Sequence, residues 1–558
     1  MKTLLKQILR RIPFFKQLYI KLREIYLPNH MDKLQKKLLE TMMPSTEKLI
    51  DMKNECKGFV VNPLISIIMP TYNTDLKMLD EAIKSVQSQV YENWELVIVD
   101  DCSLNHEVQD KIINYSQNDS RITKLFLKQN HHIAGATNEG FKIANGEYIA
   151  LLDHDDYLYP NALYENVKKI NENSKAKFIY SDEDKIDEHG KQHFDAYLKP
   201  DFDFDFLRCM NIITHFVVFK SELLNLVGGE DSKYNGAQDW EFVMKITDIL
   251  IPDEIVHINK VIYSWRVHSQ STATIKSGAK LYVPEAQRNL LRKDIEKRNN
   301  IGIKVYENYE AIGQWLFQYP VIGLPLVSIL VKSNKETKYL KKLLNSIFIM
   351  TSYHNYEIVF LENPFTDKSV FEKYMQKHDN ISSKINGDYI VVIDGNFEIL
   401  TFDWLEKMIG QIQRDNVAYV MPRILSQKHN IVESVGLAVG KDGEIINLLN
   451  GFDTLSSRTF TEHIHLTTNH HITSVNPNCY MTKKSLFDLN ENVIIHSIEL
   501  NQEKYYNIFI SDVHVKNNSS KKLDKSVGVF PKFNGFIDRN VNSNFLKIEQ
   551  NYVRGKKI

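Results

Sequence analysis

Two short acidic runs stand out in this 558-residue chain, Asp100-Asp101 and Asp153-His154-Asp155-Asp156. Each closes an apolar stretch, Trp94–Val99 and Glu147–Leu152, of the kind that forms a buried strand. Grouped carboxylates offer the hard oxygen ligands that a divalent cation prefers. Other chemistries lack their residues. The turn after the first apolar strand, Pro70-Thr-Tyr-Asn-Thr74, contains no glycine, which argues against a dinucleotide-dependent oxidoreductase and against a sugar nucleotidyltransferase. Without a Gly-Lys-Ser/Thr run, a P-loop NTPase is excluded. Cys56, Cys102, Cys209 and Cys479 are scattered, so neither a zinc site nor a disulfide framework is expected.

The elements around these runs alternate. Strands are expected at 63–70, 94–101, 122–127 and 147–152, with helices at 76–89, 106–117 and 134–144 between them. Such alternation implies an α/β fold with a largely parallel sheet. Ligands of such sheets bind beyond the carboxyl ends of the strands, where both acidic runs fall. The same text then recurs. Pro325–Val331 echoes Pro63–Met69, Tyr356–Leu361 echoes Trp94–Val99, and Asn386–Asp394 echoes Asn145–Asp153. Three matching segments in one order imply two copies of one domain. In the second copy Asp100-Asp101 becomes Glu362-Asn363, and Asp153-His154-Asp155-Asp156 becomes Asp394-Gly395-Asn396-Phe397. A cation site would lose most of its ligands there, so this copy reads as degenerate.

Three pieces together, Ser66-Ile-Ile-Met-Pro-Thr-Tyr-Asn73, Val99-Asp-Asp-Cys-Ser103 and Asn145–Asp156, resemble the GT-A domain of family-2 glycosyltransferases. Tyr180–Lys185, Lys199-Pro200, Gly236-Ala-Gln-Asp-Trp240 and Trp265-Arg-Val-His268 resemble a subgroup that builds bacterial surface polysaccharides such as rhamnans and O-antigens. The resemblance implies an inverting, metal-dependent sugar transfer. Its donor would be a nucleotide sugar, UDP- or dTDP-linked, and its acceptor a growing glycan or a lipid-linked chain. It also implies roles. Asp155 and His268 would hold Mn²⁺ or Mg²⁺, with Asp153 on the ribose or the metal shell and Asp156 in support. Pro70, Thr71, Tyr72 and Asp101 would contact the nucleotide. Asp239 would act as general base on the acceptor hydroxyl, or else cap its helix. Gln238 stands where relatives usually carry an acid, and Gln238 and Trp240 read as supporting or acceptor-side residues. One departure is the pair His131-His132 after Asn130, where many relatives have a glycine. No carboxylate or cysteine stands near the pair at ligand spacing, so they read as loop histidines.

Several residues keep two readings. Asp182, Glu183 and Asp184 either orient the acceptor or form a solvated turn before Gly190. Asp201, Asp203 and Asp205 alternate with Phe202, Phe204 and Phe206, as in a half-buried strand or a sugar-stacking surface. Asp100 reads as a structural cap. In the second copy, Ser497 would stand for Asp239 and His514 for His268.

The expected division is a basic amphipathic helical segment at 1–58, a catalytic domain at 59–278 and a helical linker at 279–322. A degenerate copy at 323–520 and a tail at 521–558 complete it. In the first segment Lys2, Lys6, Arg10, Arg11, Lys16, Lys21 and Arg23 interleave with apolar residues. Such a helix either packs on its own protein or lies on an anionic membrane. No apolar run reaches the ~18–20 residues of a membrane span. A formal net charge of −1 leaves no electrostatic footprint for nucleic acid. A cytoplasmic enzyme, peripheral at the inner face of the membrane, is the expectation. Its rivals are a polymerase with two active halves and a non-catalytic sugar-nucleotide-binding scaffold.

Overall fold

The computed structural model describes residues 37, 39–268, 282–298, 302–308, 310–311, 313–333, 338–360, 381–382, 384–428, 430–454, 459–519, 526–534 and 538–547. The basic N-terminal helix expected before residue 31 lies outside them, as does half of the expected tail. Among the described residues, no helix is long and apolar enough to cross a membrane. The chain forms two compact units, one of 32–207 and 211–299, the other containing 208–210 and 300–558.

The first unit opens with α1 (Thr46–Cys56) and β1 (Ile65–Thr71). It continues through α2 (Leu76–Gln87), β2 (Trp94–Asp100), α3 (His106–Asn118), β3 (Ile122–Phe126), α4 (His132–Ile143), β4 (Tyr148–Leu151) and β5 (Tyr157–Leu158). Then come α5 (Ala162–Glu172), β6 (Phe178–Asp187), β7 (His193–Tyr197), α6 (Phe204–Cys209), β8 (Val217–Lys220), α7 (Leu223–Val227), α8 (Gln238–Thr247), β9 (Ile255–Val267) and α9 (Tyr282–Lys297). Local signals account for the early elements. Asp75 caps α2 by accepting from the Lys77 and Met78 backbone N–H groups, and Leu79, Ala82, Ile83 and Val86 form its buried stripe. Ile65, Ile67, Ile68 and Met69 are buried on both faces of β1, because the strand lies inside the sheet. Gly140 lets α4 approach that strand, since a Cβ there would come within 2.5 Å of Ile68 Cγ2.

The sheet runs β3-β2-β1-β4-β8-β6-β9-β5, with β7 paired to β6. Strands β3, β2, β1 and β4 are parallel. The expectation of a largely parallel sheet fails beyond them: β8 is antiparallel to both β4 and β6, and β5 is antiparallel to β9. The fold is thus a mixed α/β sheet of the GT-A kind.

The second unit begins with the antiparallel pair β10 (Lys304–Glu307) and β11 (Trp315–Gln318). It continues through β12 (Val327–Lys332), α10 (Lys338–Met350), β13 (Tyr356–Val359), β14 (Ile381–Ser382), β15 (Tyr389–Asp394), β16 (Phe397–Ile399), α11 (Trp404–Ile412) and β17 (Val417–Leu425). Next are β18 (Val432–Ser434), β19 (Leu437–Val439), β20 (Asp442–Asn447), α12 (Phe460–Thr467) and β21 (His470–Ile472). Last come β22 (Cys479–Lys483), α13 (Val493–Glu503), β23 (Tyr506–Asn517) and β24 (Ser526–Asn534). The main sheet runs β14-β13-β12-β15-β22-β17-β23-β16, which repeats the first sheet's order strand for strand. The expected linker divides: α9 belongs to the first unit, and β10 and β11 belong to the second.

A matching hydrogen-bond network lies at the strand starts of each sheet. Ser66 donates to Glu95 at 2.5 Å and accepts from Gly146 N at 2.7 Å, while Glu95 accepts from Asn145 N at 2.6 Å. Ser328, Glu357, Asn386 and Gly387 repeat it at 2.5, 2.8 and 2.8 Å.

Candidate active site

Strand β4 ends just before the Asp153–Asp156 turn, which closes through Asp156 N to Asp153 O at 3.3 Å. The neighbouring β9 secures it. Asp156 accepts from the Tyr263 hydroxyl and, at 2.7 Å, from Arg266 N. The buried Arg266 side chain donates from Nε to the Asp155 carbonyl at 2.6 Å and pairs with Glu81 at 2.8 Å. His268, one residue past β9, places Nε2 2.8 Å from Asp155 Oδ2. The structure therefore brings together Asp155 and His268.

Crowding of these acids sets their protonation. Burial raises Asp153, and the Asp155 charge adds to that. Burial, with Asp155 and Asp153, holds Asp156 well above the usual carboxylate range. Burial also acts to raise Asp155, but His154 and His268 outweigh it and lower this carboxyl. One ligand atom each from Asp153, Asp156 and His215 lies within 4.8 Å of the others. Crowded carboxylates beside an imidazole suit a divalent cation, which would relieve the repulsion that now favours protonation.

Sequence reasoning missed His215. It sits in the left-handed region at φ 60° and stacks on Tyr263, with centroids 5.3 Å apart. Its Nδ1 lies 3.0 Å from Glu183, whose carboxylate also takes Lys199 Nζ at 2.8 Å and Thr214 Oγ1 at 3.0 Å. Burial alone would lower the imidazole, but Glu183, Asp156 and Asp153 raise it to about 9. Glu183 is lowered to about 2 by His215 and Lys199 against its own burial.

The run Asp182-Glu183-Asp184 is not a solvated turn. It lies buried within β6, and each carboxylate meets a histidine from elsewhere in the unit. His257 bridges Asp182 at 2.9 Å and Asp201 at 3.1 Å, Glu183 meets His215, and Asp184 meets His193 at 2.9 Å. Asp182 also accepts from Lys199 N at 2.9 Å, so it is bonded internally and is not placed as an acceptor contact. Single-residue motifs gave no sign of these pairs, because the histidines come from β7, the approach to β8, and β9. The Asp201–Phe206 alternation is not a strand either. Asp203 accepts from the Asp205 and Phe206 N–H groups and starts α6.

Asp101 follows β2, and its N–H bonds to Thr71 O at 2.8 Å, which sets it beside the Pro70-Thr71-Tyr72 wall. Thr71 is buried, Pro70 half-buried and Tyr72 exposed. Asp101 Oδ1 accepts from His131 N at 2.7 Å, and burial raises its carboxyl. Asp100 bonds to Ser103 N and Gln109 Nε2, both at 3.1 Å, so it is structural but not the cap of α3, which is Asn105 accepting from Glu107 N. Beyond the wall, Asn73 N donates to Ser103 Oγ and Leu104 N to Asn73 Oδ1, each at 2.8 Å, so the two strand-end loops hold each other.

Asp239 occupies the first turn of α8, one residue after its start and therefore not at the cap. Solvent reaches it, yet it lies deep in the protein mass; burial raises its carboxyl against the backbone N–H groups and His215. Asn211 Nδ2 donates to it at 3.0 Å. Its charge acts on Asp153, as the smallest of the influences on that carboxyl. Trp240 and Gln238 take supporting positions beside Asp239. Trp240 is buried with its indole N–H on Leu207 O at 2.8 Å, and buried Gln238 turns back to accept from Gly236 N at 2.7 Å. An open groove of about 880 Å³ runs along α4, lined by Asn138, Phe141, Asn145 and Gly229 among others, away from these carboxylates.

Among its described residues, the second unit presents no comparable cluster at this edge. Asp394 Oδ1 is taken by the N–H and side chain of Asn396 at 2.9 and 2.8 Å. Strand register puts Arg423, Ile424 and Leu425 where the first unit has Asp182, Glu183 and Asp184. It also sets Val515, like Tyr263, opposite the short strand β16 or β5, so His514 stands inside the strand and not at the position of His268.

Residues 66–226 match the family described as glycosyl transferase family 2. The chain carries a family-2 glycosyltransferase domain. Uncharacterized protein y4gI of Sinorhizobium fredii is 33% identical over 406 residues, which are 68% of this chain and 44% of that protein. The O-antigen biosynthesis protein RfbC of Myxococcus xanthus is 27% identical over 400 residues, 68% of this chain and 31% of RfbC. The chain thus spans less than half the length of either relative. Among solved structures, Staphylococcus aureus TarS 1-349 in complex with UDP-GlcNAc is similar at 20% identity and a TM-score of 0.33, over 41% of this chain and 66% of that one.

Proposed function

We propose that the glycosyltransferase domain moves a sugar from a nucleotide-sugar donor to a growing surface glycan or lipid-linked acceptor, with inversion at the anomeric carbon. The observation that carries this reading is the gathering of ligand atoms from Asp153, Asp156 and His215 within 4.8 Å of one another at the end of β4, with His268 facing Asp155 at 2.8 Å. Asp155 and His268, with Asp153 and Asp156 beside them, would hold Mn²⁺ or Mg²⁺. When bound, the cation supplies Lewis-acid stabilisation of the charge that gathers on the leaving diphosphate. Pro70, Thr71, Tyr72 and Asp101 would hold the nucleoside. Asp239, oriented by Asn211, accepts the proton of the attacking hydroxyl. A single displacement with this one base gives inversion.

The domain boundaries at 59–278 and 323–520 belong to the same reading, with the second unit a copy that no longer catalyses. So do the donor class, UDP- or dTDP-linked, and a peripheral station at the inner face of the membrane. The test is donor hydrolysis by the purified chain, using UDP-, dTDP- and GDP-sugars with Mn²⁺, Mg²⁺ or EDTA. Metal-dependent release of one nucleotide, abolished in Asp155→Ala, is expected. Absence of both turnover and metal-dependent nucleotide binding would sink the reading in favour of a scaffold.

A further inference from the structure

Glu230 is an acid near this site that neither the catalytic roles nor the buried histidine pairs use. It is only 8% exposed, and its Oε2 has no hydrogen-bond partner among the described residues. A buried carboxyl in a native fold is ordinarily wired to its neighbours, and leaving it unwired costs stability. The backbone around it is held with care. Asn138 of α4 grips Glu230 from both sides, its Nδ2 donating to Glu230 O at 2.8 Å and its Oδ1 accepting from Glu230 N at 2.9 Å. Lys245 of α8 donates to Gly229 O at 2.7 Å. A Cβ on Gly229 would meet Asn138 Oδ1 at 1.9 Å, so only glycine allows the grip. A peptide fixed from α4 and α8 presents a side chain that itself bonds to nothing through Oε2.

The surroundings say what that side chain meets. After burial, the charges that act most strongly on Glu230 are Asp239 and Asp153, followed by Glu241 and, in opposition, Lys245. On the reading above, Asp239 serves the attacking hydroxyl and Asp153 the nucleotide side. The group lying between those two in the reaction is the transferred sugar. Burial and these carboxylates push Glu230 up to about 8, so at neutral pH it is an acid that can both donate and accept.

We propose that Glu230 is a specificity-determining residue that hydrogen-bonds a hydroxyl of the transferred sugar. The inference rests on the transferase reading and adds a sugar-reading group to it. A buried polar group built to meet a hydroxyl discriminates strongly against a ligand that lacks one, because it is otherwise left unpaired.

The test uses the full chain with Glu230→Gln and Glu230→Leu, and calorimetry with Mn²⁺. The probes are the sugar nucleotide that the wild type hydrolyses and the matching free nucleoside diphosphate. Free-nucleotide Kd is expected to stay within about two-fold in both variants, while Glu230→Leu weakens the sugar nucleotide about ten-fold or more. Glu230→Gln, which keeps a donor and an acceptor, should fall between. The thermal midpoint of Glu230→Leu should be unchanged or higher, since removing an unpaired buried acid relieves the fold. Equal weakening of nucleotide and sugar nucleotide, or no change in either, overturns the proposal. So does loss of stability in both variants, which would mark a structural role. If the wild type itself binds no nucleotide, the transferase reading fails first and Glu230 falls with it.

Discussion

The two sheets of this chain share their strand order and their strand-start network, and part company at the opposite ends of the strands. Ser66, Glu95, Asn145 and Gly146 in one unit, and Ser328, Glu357, Asn386 and Gly387 in the other, make the same bonds at nearly the same lengths. Tyr91 and Tyr353 likewise each donate to a proline carbonyl, Pro63 at 2.7 Å and Pro325 at 2.6 Å. These groups serve the fold. At the carboxyl ends, Asp155 faces His268 in the first unit, whereas Asp394 is spent on its own turn in the second. What holds a sheet together is present in both, and the Asp155–His268 pairing is described in the first.

Buried histidines sharpen the contrast. In the first unit His215 and His257 are raised to about 9 by facing carboxylates, against their burial. In the second, burial and His470 hold His465 well below its usual range, and burial with Arg423 lowers His514 to about 4. The facing carboxylates favour the imidazolium form of His215 and His257, and burial favours the neutral ring of His465 and His514.

The largest expected effect falls on activity. Asp155→Ala and Asp239→Asn should each lower metal-dependent donor turnover by about 10²–10⁴-fold, as loss of charge stabilisation or of a general base does. Steady-state assay of transfer and hydrolysis checks it, and retained turnover in either would break the division of labour.

The next falls on stability and should ignore the division. Glu95→Ala and Glu357→Ala each strand a serine and an asparagine, so each should cost about 1–3 kcal/mol in denaturant unfolding of its own unit. Markedly unequal losses would mean that the shared network is only a likeness.

A smaller effect follows pH, and the two units should answer oppositely. The raised His257 contributes stability that is fully present below about pH 6.5 and lost as pH rises through about 9. The depressed His514 contributes stability present above about 6.5 and lost as pH falls through about 4. Amide exchange should show the first unit loosening toward pH 9 and the second toward pH 4, and His257→Gln should flatten the alkaline loss. Loosening of both units in the same direction would contradict the assignment.

The smallest effect is a null. Asp394→Ala should leave donor turnover within about two-fold, because its carboxylate is occupied by Asn396. A larger loss would revive the reading with two active halves.

Much of this was legible in the sequence, for reasons that particular residues make plain. Apolar runs such as Ile65–Met69 and the Asp75 cap declare a strand and a helix locally. Asp153–Asp156 could be placed at a strand end because strand and turn are contiguous. The antiparallel half of the sheet was not legible, because the pairing of β8 with β4 and β6 joins segments far apart in the chain. The histidine partners of Asp182, Glu183 and Asp184 were hidden for the same reason. Trp240 and Gln238 could be read only as acceptor-side or supporting residues, because the sequence alone does not show which way each one faces. A helix turns about 100° per residue, so immediate neighbours face elsewhere.

The stretch from β17 to β22 is the longest departure between the two units. The corresponding run from β6 to β8 carries β7, α6, Lys199 and His215, whereas this one carries β18, β19, β20, α12 and β21, with β19 and β20 joined by β24 in a small sheet of its own. It springs from the edge where Asp394 ends its strand, since β17 and β15 are both antiparallel to β22. A substrate mouth is an empty volume that inheritance must defend against every insertion. If, as proposed, no substrate enters the second unit, that defence lapses there, and the edge becomes ground on which new architecture can accumulate without penalty to the sheet beneath it.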